Sequence, residues 1–362
     1  MTPKVKVGII GTGMISNAYI KGCQQSSILD LVACSDIYLD KARAMAEQYA
    51  IPHVYTVEEL LADPDIQIVI NLTIPKAHAP VAISAIEAGK HVYSEKPFAV
   101  TVEEGRRVLE LARARGVLVG NSPETFLGIS HQLCRKLIDE GVIGEPIAAL
   151  ASLAGRVDPG DPARDFMFQP GGGPMLDMGP YYFTDLVNML GPIRRVTGQV
   201  RNTFPERTIT YRGSERQLSV TIPTHLTGAL DFVGGAVATV LMSFDMPGGH
   251  DIPRLQIYGS EGILDVPDPN LHGGPVRIRL HGKDWEEVAH PYKEGYFRGV
   301  GVEDLAYAIH EGRQPLASGE LAEHVLEAML AFEQSSSTGR HIDIQSRPQI
   351  PPLLPADRIW NF

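Results

Sequence analysis

A charged pair stands where an apolar strand should end. In residues 94–99, SEKPFA, Glu95 and Lys96 follow the hydrophobic run GKHVY and precede Pro97. A lysine on a backbone that proline restricts could be held in place to take a proton from a substrate, which is general acid–base chemistry. The same residues could instead form a solvated turn that does no chemistry, and the segment by itself does not decide between the two.

A second group of polar side chains follows three glycines in residues 169–191, QPGGGPMLDMGPYYFTDLVNMLG. Asp177, Tyr181 and Asp185 recur every four residues, so on one helix they would share a face. A carboxylate and a phenol on one face could complete an acid–base site with Lys96. Alternatively, Tyr181 is a core aromatic residue and the aspartates form a solvated stripe.

A glycine-rich turn follows the first β-branched run, in VGIIGTGMIS. The dinucleotide-binding pattern G-x-G-x-x-G/A uses its first glycine, here Gly11, for a tight turn, and its second, here Gly13, for close approach to a pyrophosphate. The third position holds Ser16, which is small but departs from the pattern. We expect Met14 and Ile15 to join the two glycines in binding the cofactor, the alternative being a turn without a ligand.

A carboxylate at the end of the second predicted strand, LVACSD, indicates which dinucleotide is bound. Asp36 lies 25 residues after Gly11, a suitable spacing for accepting hydrogen bonds from a ribose. It would repel a 2′-phosphate, and Ile37 and Tyr38 follow it in place of a basic residue. The sequence therefore predicts NAD rather than NADP, unless Asp36 only caps the next helix.

The segment NLTIPKAH follows the third clear strand and adds to the predicted cofactor site. Thr73 and Pro75 would lie at the carboxyl end of that strand, where open α/β sheets bind ligands. His78 could face the cofactor, or it could cap and pack the next helix. Glu95 and Lys96 complete the predicted cofactor-binding set.

The elements that must position these side chains form two domains and a tail. Strand and helix alternate strictly up to residue 122, which predicts an α/β Rossmann domain with a parallel sheet over residues 1–122. Strand-like runs separated by turn signals then predict an α+β domain over residues 123–346 with a large, mostly antiparallel, open-faced sheet. Residues 347–362 are proline-rich and predicted to be an extended tail.

Composition excludes several classes of function. The 362-residue chain has a net charge of −11, which argues against nucleic acid or an anionic membrane surface as its partner. Its three cysteines lack CxxC spacing and its 12 histidines lack HxH or HExxH spacing, so we expect no disulfide framework and no metal site. With no signal peptide and no bilayer-spanning apolar run, we expect a cytoplasmic protein.

Taken together, GIIGTGMIS, AGKHVYSEKPFA, GGGPMLDMGPYY and IYGSEG resemble the Gfo/Idh/MocA family of sugar and inositol oxidoreductases over essentially the whole chain. The resemblance implies that Lys96 lies close to both the nicotinamide and the substrate, and that Asp177 contacts the substrate. It also implies a cis peptide bond before Pro97. The family motif D-x-G-x-H ends in histidine, and that position is Tyr181 here.

The tyrosine bears on the substrate and on the proton acceptor. Tyrosine at this position resembles glucose–fructose oxidoreductase, aldose dehydrogenases and dimeric dihydrodiol dehydrogenases, and favours oxidation of an aldose to a lactone. A phenol has a pKa near 10 and is a poor base at neutral pH unless a cation such as Lys96 lowers that pKa. Lys96 itself could accept the proton, and both alternatives stay open. Further candidate substrate contacts are Arg156, Arg164, Tyr182, Asp185 and His250.

Other functions remain in competition with a sugar dehydrogenase whose substrate lies between the domains. An inositol or trans-dihydrodiol dehydrogenase is the nearest alternative. A non-catalytic dinucleotide-binding regulator belongs to a different class and would not need Lys96 and Asp177. The resemblance also implies a homodimer or homotetramer, which we expect to form through the open face of the second-domain sheet.

Overall fold

The computed structural model describes residues 3–247, 251–289 and 298–354. They divide into unit 1, which holds residues 3–127, 298–323 and 354, and unit 2, which holds the rest. Unit 1 thus extends beyond residue 122 and includes a later segment that was expected in the second domain. His250 and tail residues 355–362 lie outside the described residues.

The first half of the described chain alternates strand and helix. Its strands are β1 (Val5–Ile10), β2 (Leu29–Ser35), β3 (His53–Val54), β4 (Ile68–Asn71), β5 (His91–Ser94) and β6 (Val119–Asn121). Its helices are α1 (Ser16–Gln25), α2 (Leu39–Tyr49), α3 (Val57–Ala62), α4 (Pro75–Glu87) and α5 (Val102–Arg115), followed by a 3₁₀ helix (Thr125–Leu127). The sequence patterns predicted these elements except β3, α3 and the 3₁₀ helix.

The remaining described residues are rich in strands. The helices are α6 (Ile129–Asp139), α7 (Gly173–Asp177), α8 (Gly179–Leu190), α9 (Val300–Glu311) and α10 (Gly319–Thr338), with a 3₁₀ helix at Pro162–Phe168. The strands are β7 (Pro146–Ala154), β8 (Ile193–Arg201), β9 (Glu206–Tyr211), β10 (Ser214–Ser219), β11 (His225–Phe232), β12 (Val237–Ser243), β13 (Leu255–Gly259), β14 (Gly262–Val266), β15 (Arg277–Leu280), β16 (Glu286–Glu287) and β17 (Ile342–Asp343).

Unit 1 is built on a parallel sheet in the order β3-β2-β1-β4-β5-β6. Val7 and Ile9 on one face of β1 are 0% exposed and Ile10 on the other face is 3% exposed, as expected for a strand covered on both faces. The strand order reverses between β1 and β4, and open sheets bind ligands outside the carboxyl ends of strands at such a point. The segments after β1, β2, β4 and β5, which carry the predicted cofactor residues, all leave the sheet at this edge.

Unit 2 contains a nine-stranded sheet in the order β16-β15-β14-β13-β7-β12-β11-β8-β17, antiparallel except between β7 and β12. Helix α10 packs on one face, because a Cβ at Gly198 or Gly228 would lie 2.8 Å from Phe332. Strands β9 and β10 form a separate hairpin. The α/β plus α+β fold class is therefore confirmed, with the large sheet mostly antiparallel.

The segment after β17 and the character of the helices complete the description of the fold. After β17, residues 344–354 form neither helix nor strand, and in unit 2 a Cβ added at Gly191 would lie 3.2 Å from Ile350. Within residues 3–247, 251–289 and 298–354, none of the helices is long and apolar enough to cross a membrane.

Candidate active site

The glycine-rich turn after β1 has the geometry that a dinucleotide requires. Gly11 has φ +99°, and a Cβ there would lie 2.7 Å from the Leu72 carbonyl, so only glycine fits. At Gly13 a Cβ would meet no atom within 4 Å, which leaves the backbone open to a ligand. Ser16 donates its hydroxyl to the Gly13 carbonyl at 2.6 Å, so serine at the third position closes the turn.

The start of α1 can receive an anion. No side chain caps this helix terminus, and a helix N-terminus favours negative charge. Met14 is 81% exposed beside the turn, and Ile15 is half-buried. These features fit the pyrophosphate of a dinucleotide, which would lie against Gly13 and the first turn of α1.

Asp36 is fixed at the end of β2 by three hydrogen bonds. The backbone N–H and the hydroxyl of Thr12 donate to Asp36 Oδ2 at 2.8 and 2.9 Å, and the Tyr38 N–H donates to Oδ1 at 2.9 Å. The carboxylate is half-buried, and Ile37 and Tyr38 beside it are 83% and 61% exposed. The remaining lone pair on Oδ1, next to exposed apolar side chains, fits a hydrogen bond from an adenosine ribose.

The segment after β4 is tied to the Lys96 loop through His78. Thr73 donates its hydroxyl to Asn71 at 2.7 Å, and Pro75 begins α4. His78 is 1% exposed, and its ring nitrogens lie 2.7 Å from the Pro97 carbonyl and 2.9 Å from the Thr73 carbonyl. Burial lowers the pKa of His78. Its described contacts hold two loops together, and its contact with the cofactor stays a prediction.

The SEKPFA segment is not a solvated turn. Glu95 is 6% exposed and accepts the Tyr19 hydroxyl at 2.8 Å and the Lys96 N–H at 3.0 Å. Lys96 is half-buried, and the Lys96–Pro97 peptide bond is cis, as the resemblance implied. The preceding carboxylate therefore faces the protein interior and holds the backbone that carries Lys96.

Glycines set the geometry of the second motif, in unit 2. A Cβ at Gly172 would lie 2.5 Å from the Phe166 carbonyl, and Gly173 has φ +81°. The turn into α7 therefore needs these glycines. Asp177 ends α7 and is half-buried, whereas Tyr181 in α8 is 4% exposed.

The single helix considered for Asp177, Tyr181 and Asp185 is in fact two helices. Met178 joins α7 to α8, and Pro180 follows within the first turn of α8. Because Pro180 has no N–H, it cannot continue the helical hydrogen-bond ladder. Asp177 therefore stands at the end of one helix and Tyr181 at the start of the next.

Two of the lower-ranked substrate candidates have partners inside unit 2. Asp185 is 1% exposed, and its Oδ2 lies 2.8 Å from Nδ1 of the buried His131, whose Nε2 lies 2.7 Å from the Leu271 carbonyl. Burial lowers the pKa of His131, but Asp185, the Leu271 carbonyl and Asp268 together outweigh it, so the pKa is raised. Tyr182 is 0% exposed, and its hydroxyl accepts from Arg254 at 3.3 Å.

Arg156 and Arg164 are exposed and precede the glycine-rich motif. Arg164 belongs to the 3₁₀ helix Pro162–Phe168, which the β9–β10 hairpin holds through Arg216 and Asp165 at 2.7 Å. Arg164 therefore lies on a segment that the hairpin holds, and the backbone of Arg156 forms a β-bridge with Asp245. The contact of either arginine with substrate stays a prediction.

Sequence analysis missed several polar residues that support the site. Thr12 orients Asp36. Ser122 contacts Glu95, Glu124 and Tyr19. The sequence NSPETF places the Glu124 carboxylate next to Pro123 just after β6, but no pattern in it indicates which groups that carboxylate contacts.

Comparisons with known proteins agree with this architecture. The Gfo/Idh/MocA family model, described as an oxidoreductase family with an NAD-binding Rossmann fold, matches residues 5–122. The model of the Gfo/Idh/MocA C-terminal domain matches residues 131–265. 1,5-Anhydro-D-fructose reductase from Ensifer adhaerens is 26% identical over 341 residues, covering 94% of this chain and 98% of that protein.

Solved structures share the fold. Aldose-aldose oxidoreductase from Caulobacter crescentus, complexed with glycerol, has a TM-score of 0.80 at 21% identity and covers 94% of this chain and 100% of that chain. Levoglucosan dehydrogenase, in complex with NADH and levoglucosan, has a TM-score of 0.81 at 21% identity and covers 94% and 99%.

The fold and the site define an oxidoreductase whose Rossmann domain binds a nicotinamide dinucleotide. The glycine turn, the SEKPFA loop and the family models that match both domains narrow this class to one family. The chain belongs to the Gfo/Idh/MocA family.

Proposed function

We propose that this protein transfers a hydride between a hydroxyl-bearing carbon of a sugar and NAD, giving a lactone or a keto-sugar. The substrate class is an aldose or a related cyclic polyol. The relative from Ensifer adhaerens supports this proposal, since its name describes a reductase of an anhydro-sugar. Levoglucosan and inositol also appear in the names of similar proteins.

The position of Lys96 at the sheet edge is the observation that carries the proposal. Strands β1 and β5 both pair with β4, in parallel. Neighbouring strands lie about 4.8 Å apart, so the segments after β1 and β5 leave the same edge roughly 10 Å apart. This spacing suits a dinucleotide that extends from Gly13 toward Lys96.

The chain's own residues handle the proton and the orientation of the substrate. NAD, when bound, supplies the carbon that accepts the hydride. We propose that either the Lys96 amine or the Tyr181 phenol accepts the hydroxyl proton, and that Asp177 accepts a hydrogen bond from a neighbouring hydroxyl to orient the sugar. Arg156 and Arg164 are proposed as further substrate contacts.

The identity of the dinucleotide rests on Asp36. Its carboxylate stands at the end of β2 with both oxygens fixed by backbone donors. A ribose hydroxyl can donate to the remaining lone pair on Oδ1, whereas a 2′-phosphate would meet like charge. This arrangement supports NAD over NADP.

A substrate panel tests the proposal. Aldoses, 1,5-anhydro-sugars, inositols and trans-dihydrodiols would each be incubated with NAD and with NADP, and reduced nicotinamide followed by its absorbance. We expect the highest kcat/KM with an aldose or anhydro-sugar and NAD. Preference for an inositol or a dihydrodiol would select the alternative dehydrogenase, and NAD binding without turnover of any compound would favour a regulator.

We also propose that copies of the chain associate through the nine-stranded sheet. The side of the sheet opposite α10 carries Leu150, Leu241 and Tyr258 on neighbouring strands, all of them half-buried. An apolar surface of this kind on a large sheet is typical of an interface between subunits. A homodimer or homotetramer is the proposed assembly.

The cysteines support the proposed cytoplasmic compartment. Cys23, Cys34 and Cys134 are free thiols, and all are buried. Burial raises the pKa of Cys23 to about 12 and that of Cys34 to about 11. Buried, protonated thiols are inert residues of the core, as expected in a reducing environment.

A further inference from the structure

Next to the Lys96 loop, unit 1 buries two carboxylates and three hydroxyls in one hydrogen-bonded group. We name it the Glu124 cluster, and it consists of Tyr19, Tyr93, Glu95, Ser122 and Glu124. Glu124 is 0% exposed and Glu95 is 6% exposed. The group lies beside the predicted cofactor residues, and only Glu95 of its members was among the predicted site residues.

Glu124 gathers donors from three elements. The Tyr93 hydroxyl from β5 donates to Glu124 Oε2 at 2.9 Å, and the Ser122 hydroxyl donates to the same oxygen at 2.8 Å. The Gly299 N–H, at the start of α9, donates to Oε1 at 3.1 Å. Several donors to a buried carboxylate stabilise its ionised form.

The cluster leads from Glu124 to the backbone of Lys96. Because Ser122 donates its one proton to Glu124, the Tyr19 hydroxyl is the donor in its 2.5 Å contact with the Ser122 oxygen, and it shares that proton with Glu95 Oε1 at 2.8 Å. Glu95 Oε2 accepts the Lys96 N–H at 3.0 Å. The path Glu124–Ser122–Tyr19–Glu95 therefore ends at the peptide group that carries Lys96.

The tyrosine hydroxyls stay protonated, and Ser122 can donate to either carboxylate. These two properties explain how a substitution at Glu124 would change the hydrogen bonds of Glu95. Burial, followed by the charge of Glu124, raises the pKa of Tyr19 and Tyr93, so both phenols remain hydrogen-bond donors. Ser122 lies 3.3 Å from Glu95 Oε1 as well as 2.8 Å from Glu124. If Glu124 no longer accepted its proton, Ser122 would turn to Glu95 and compete with Tyr19 there.

Three glycines allow the surrounding elements to close on the cluster. A Cβ at Gly120 would lie 2.7 Å from the Tyr93 ring, and a Cβ at Gly301 would overlap the Tyr93 hydroxyl. A Cβ at Gly22 in α1 would overlap the Arg298 carbonyl. The positions of Tyr19 and Tyr93 are thus fixed by close packing as well as by hydrogen bonds.

We propose that Glu124 is a positioning residue for Lys96, acting through Ser122, Tyr19 and Glu95. This inference rests on the proposed function, in which Lys96 acts at the substrate hydroxyl. Stability does not by itself account for the cluster, because well-packed apolar residues often replace buried charged groups without loss. The need to hold the Lys96 peptide group in place does account for the cluster, because a displacement of a catalytic group by about 1 Å can lower the rate roughly 100-fold.

Glu124→Gln and Tyr19→Phe test the proposal, with Tyr49→Phe as the matched control. The Tyr49 hydroxyl donates to Asn17 at 2.8 Å, outside the cluster, so this variant also loses one tyrosine hydrogen bond in unit 1. We expect kcat to fall about 10- to 100-fold in the two cluster variants, with KM for the sugar and Kd for NAD within about 3-fold. Tyr49→Phe should keep the wild-type kcat.

The double variant Tyr19→Phe/Glu124→Gln distinguishes one pathway from two separate effects. Because both residues act through Glu95, the double variant should lose no more kcat than the more impaired single variant. Losses that multiply would contradict the proposed path, as would an unchanged kcat in folded Glu124→Gln. If Glu124→Gln does not fold, Tyr19→Phe carries the same test.

A second readout needs no sugar. Trace acetylation of Lys96, measured by peptide mass spectrometry against exposed Lys76, reports the environment of Lys96 directly. The Lys96:Lys76 ratio should change at least about 3-fold in both cluster variants and not in Tyr49→Phe. A changed ratio in a protein that turns over no sugar would support the positioning role and refute the proposed function. An unchanged ratio with unchanged kcat would refute the positioning role.

Discussion

Glu95 and Lys96 are neighbours in sequence but have different surroundings. Glu95 is buried and bonded to Tyr19, whereas Lys96 is half-buried after a β-strand. The turn glycines were predicted because their spacing has a physical reason, whereas the role of Lys96 was predicted from the family resemblance. Glu124 could not be predicted in this way, because its partners extend from Ser122 to Gly299 and meet only in the fold.

Asp36→Ser should weaken the preference for NAD. The change removes the carboxylate that would accept ribose hydroxyls and repel a 2′-phosphate. A charge-assisted hydrogen bond is worth about 1.5–3 kcal/mol, so kcat/KM for NAD should fall about 10- to 100-fold relative to that for NADP. Steady-state kinetics with both dinucleotides measure the ratio.

Asp40→Ser is the control, because Asp40 forms an exposed ion pair with Arg43 in α2, close to Asp36 in sequence. It should leave the NAD-to-NADP ratio unchanged. An unchanged ratio in Asp36→Ser itself would show that Asp36 does not select the dinucleotide.

At the scale of elements, periodicity predicted the long helices and the buried strands but not the short connections. The single helix considered for Asp177, Tyr181 and Asp185 is broken at Met178, where local proline chemistry overrides the four-residue spacing. Strand β9 was missed because Ile209 is the only aliphatic residue among its six, so its sequence has no apolar alternation. It is stabilised by pairing with β10 and by contacts with distant segments such as Arg207 with Asp245.

Helix α10 depends on a neutral histidine, which predicts a pH dependence of stability. His324 Nε2 accepts the Ile193 N–H at 2.9 Å, and Nδ1 lies 2.9 Å from the Ser346 hydroxyl. Burial lowers the pKa of His324 to about 4. The unfolded chain, with a pKa near 6.5, binds the proton first as pH falls, so this stabilisation is complete above pH ~6.5 and lost toward pH ~4.

Urea unfolding at pH 7.5 and 4.5 measures this effect. Wild type should lose about 2–3 kcal/mol more unfolding free energy between the two pH values than His324→Asn does. The exposed His341→Asn should follow wild type. Equal losses in wild type and His324→Asn would contradict the assignment of a neutral His324.

At the scale of the whole molecule, the chain passes between its two units more than once. The first segment of unit 1 ends at Leu127, a few residues after the alternation of strand and helix stops at β6. The return of residues 298–323 to unit 1 was not predicted, since α9 packs on β5 and β6 through tertiary contacts that no local pattern specifies. That the large sheet has one open face was predicted only from the run of consecutive strands in the sequence.

Leu241→Glu should separate the subunits if that side of the sheet is their interface. Leu241 lies on the half-buried side, near Leu150, and a charge there would be buried without a partner on assembly. Size-exclusion chromatography with light scattering should show a smaller species than wild type. Leu271→Glu, at a side chain that is 55% exposed in a loop, should keep the wild-type mass. A wild-type mass for Leu241→Glu would move the interface elsewhere.

The central claim is that Lys96 acts in the chemical step of an NAD-dependent sugar oxidation. Lys96→Met keeps much of the side-chain length and removes the amine, which either accepts the proton or, as a cation, lowers the pKa of Tyr181 in the proposed mechanism. With the preferred sugar from the panel, kcat should fall at least about 1,000-fold, in the range of a lost acid–base group, while Kd for NAD stays within about 5-fold. A Lys96→Met enzyme with wild-type kcat would contradict the account.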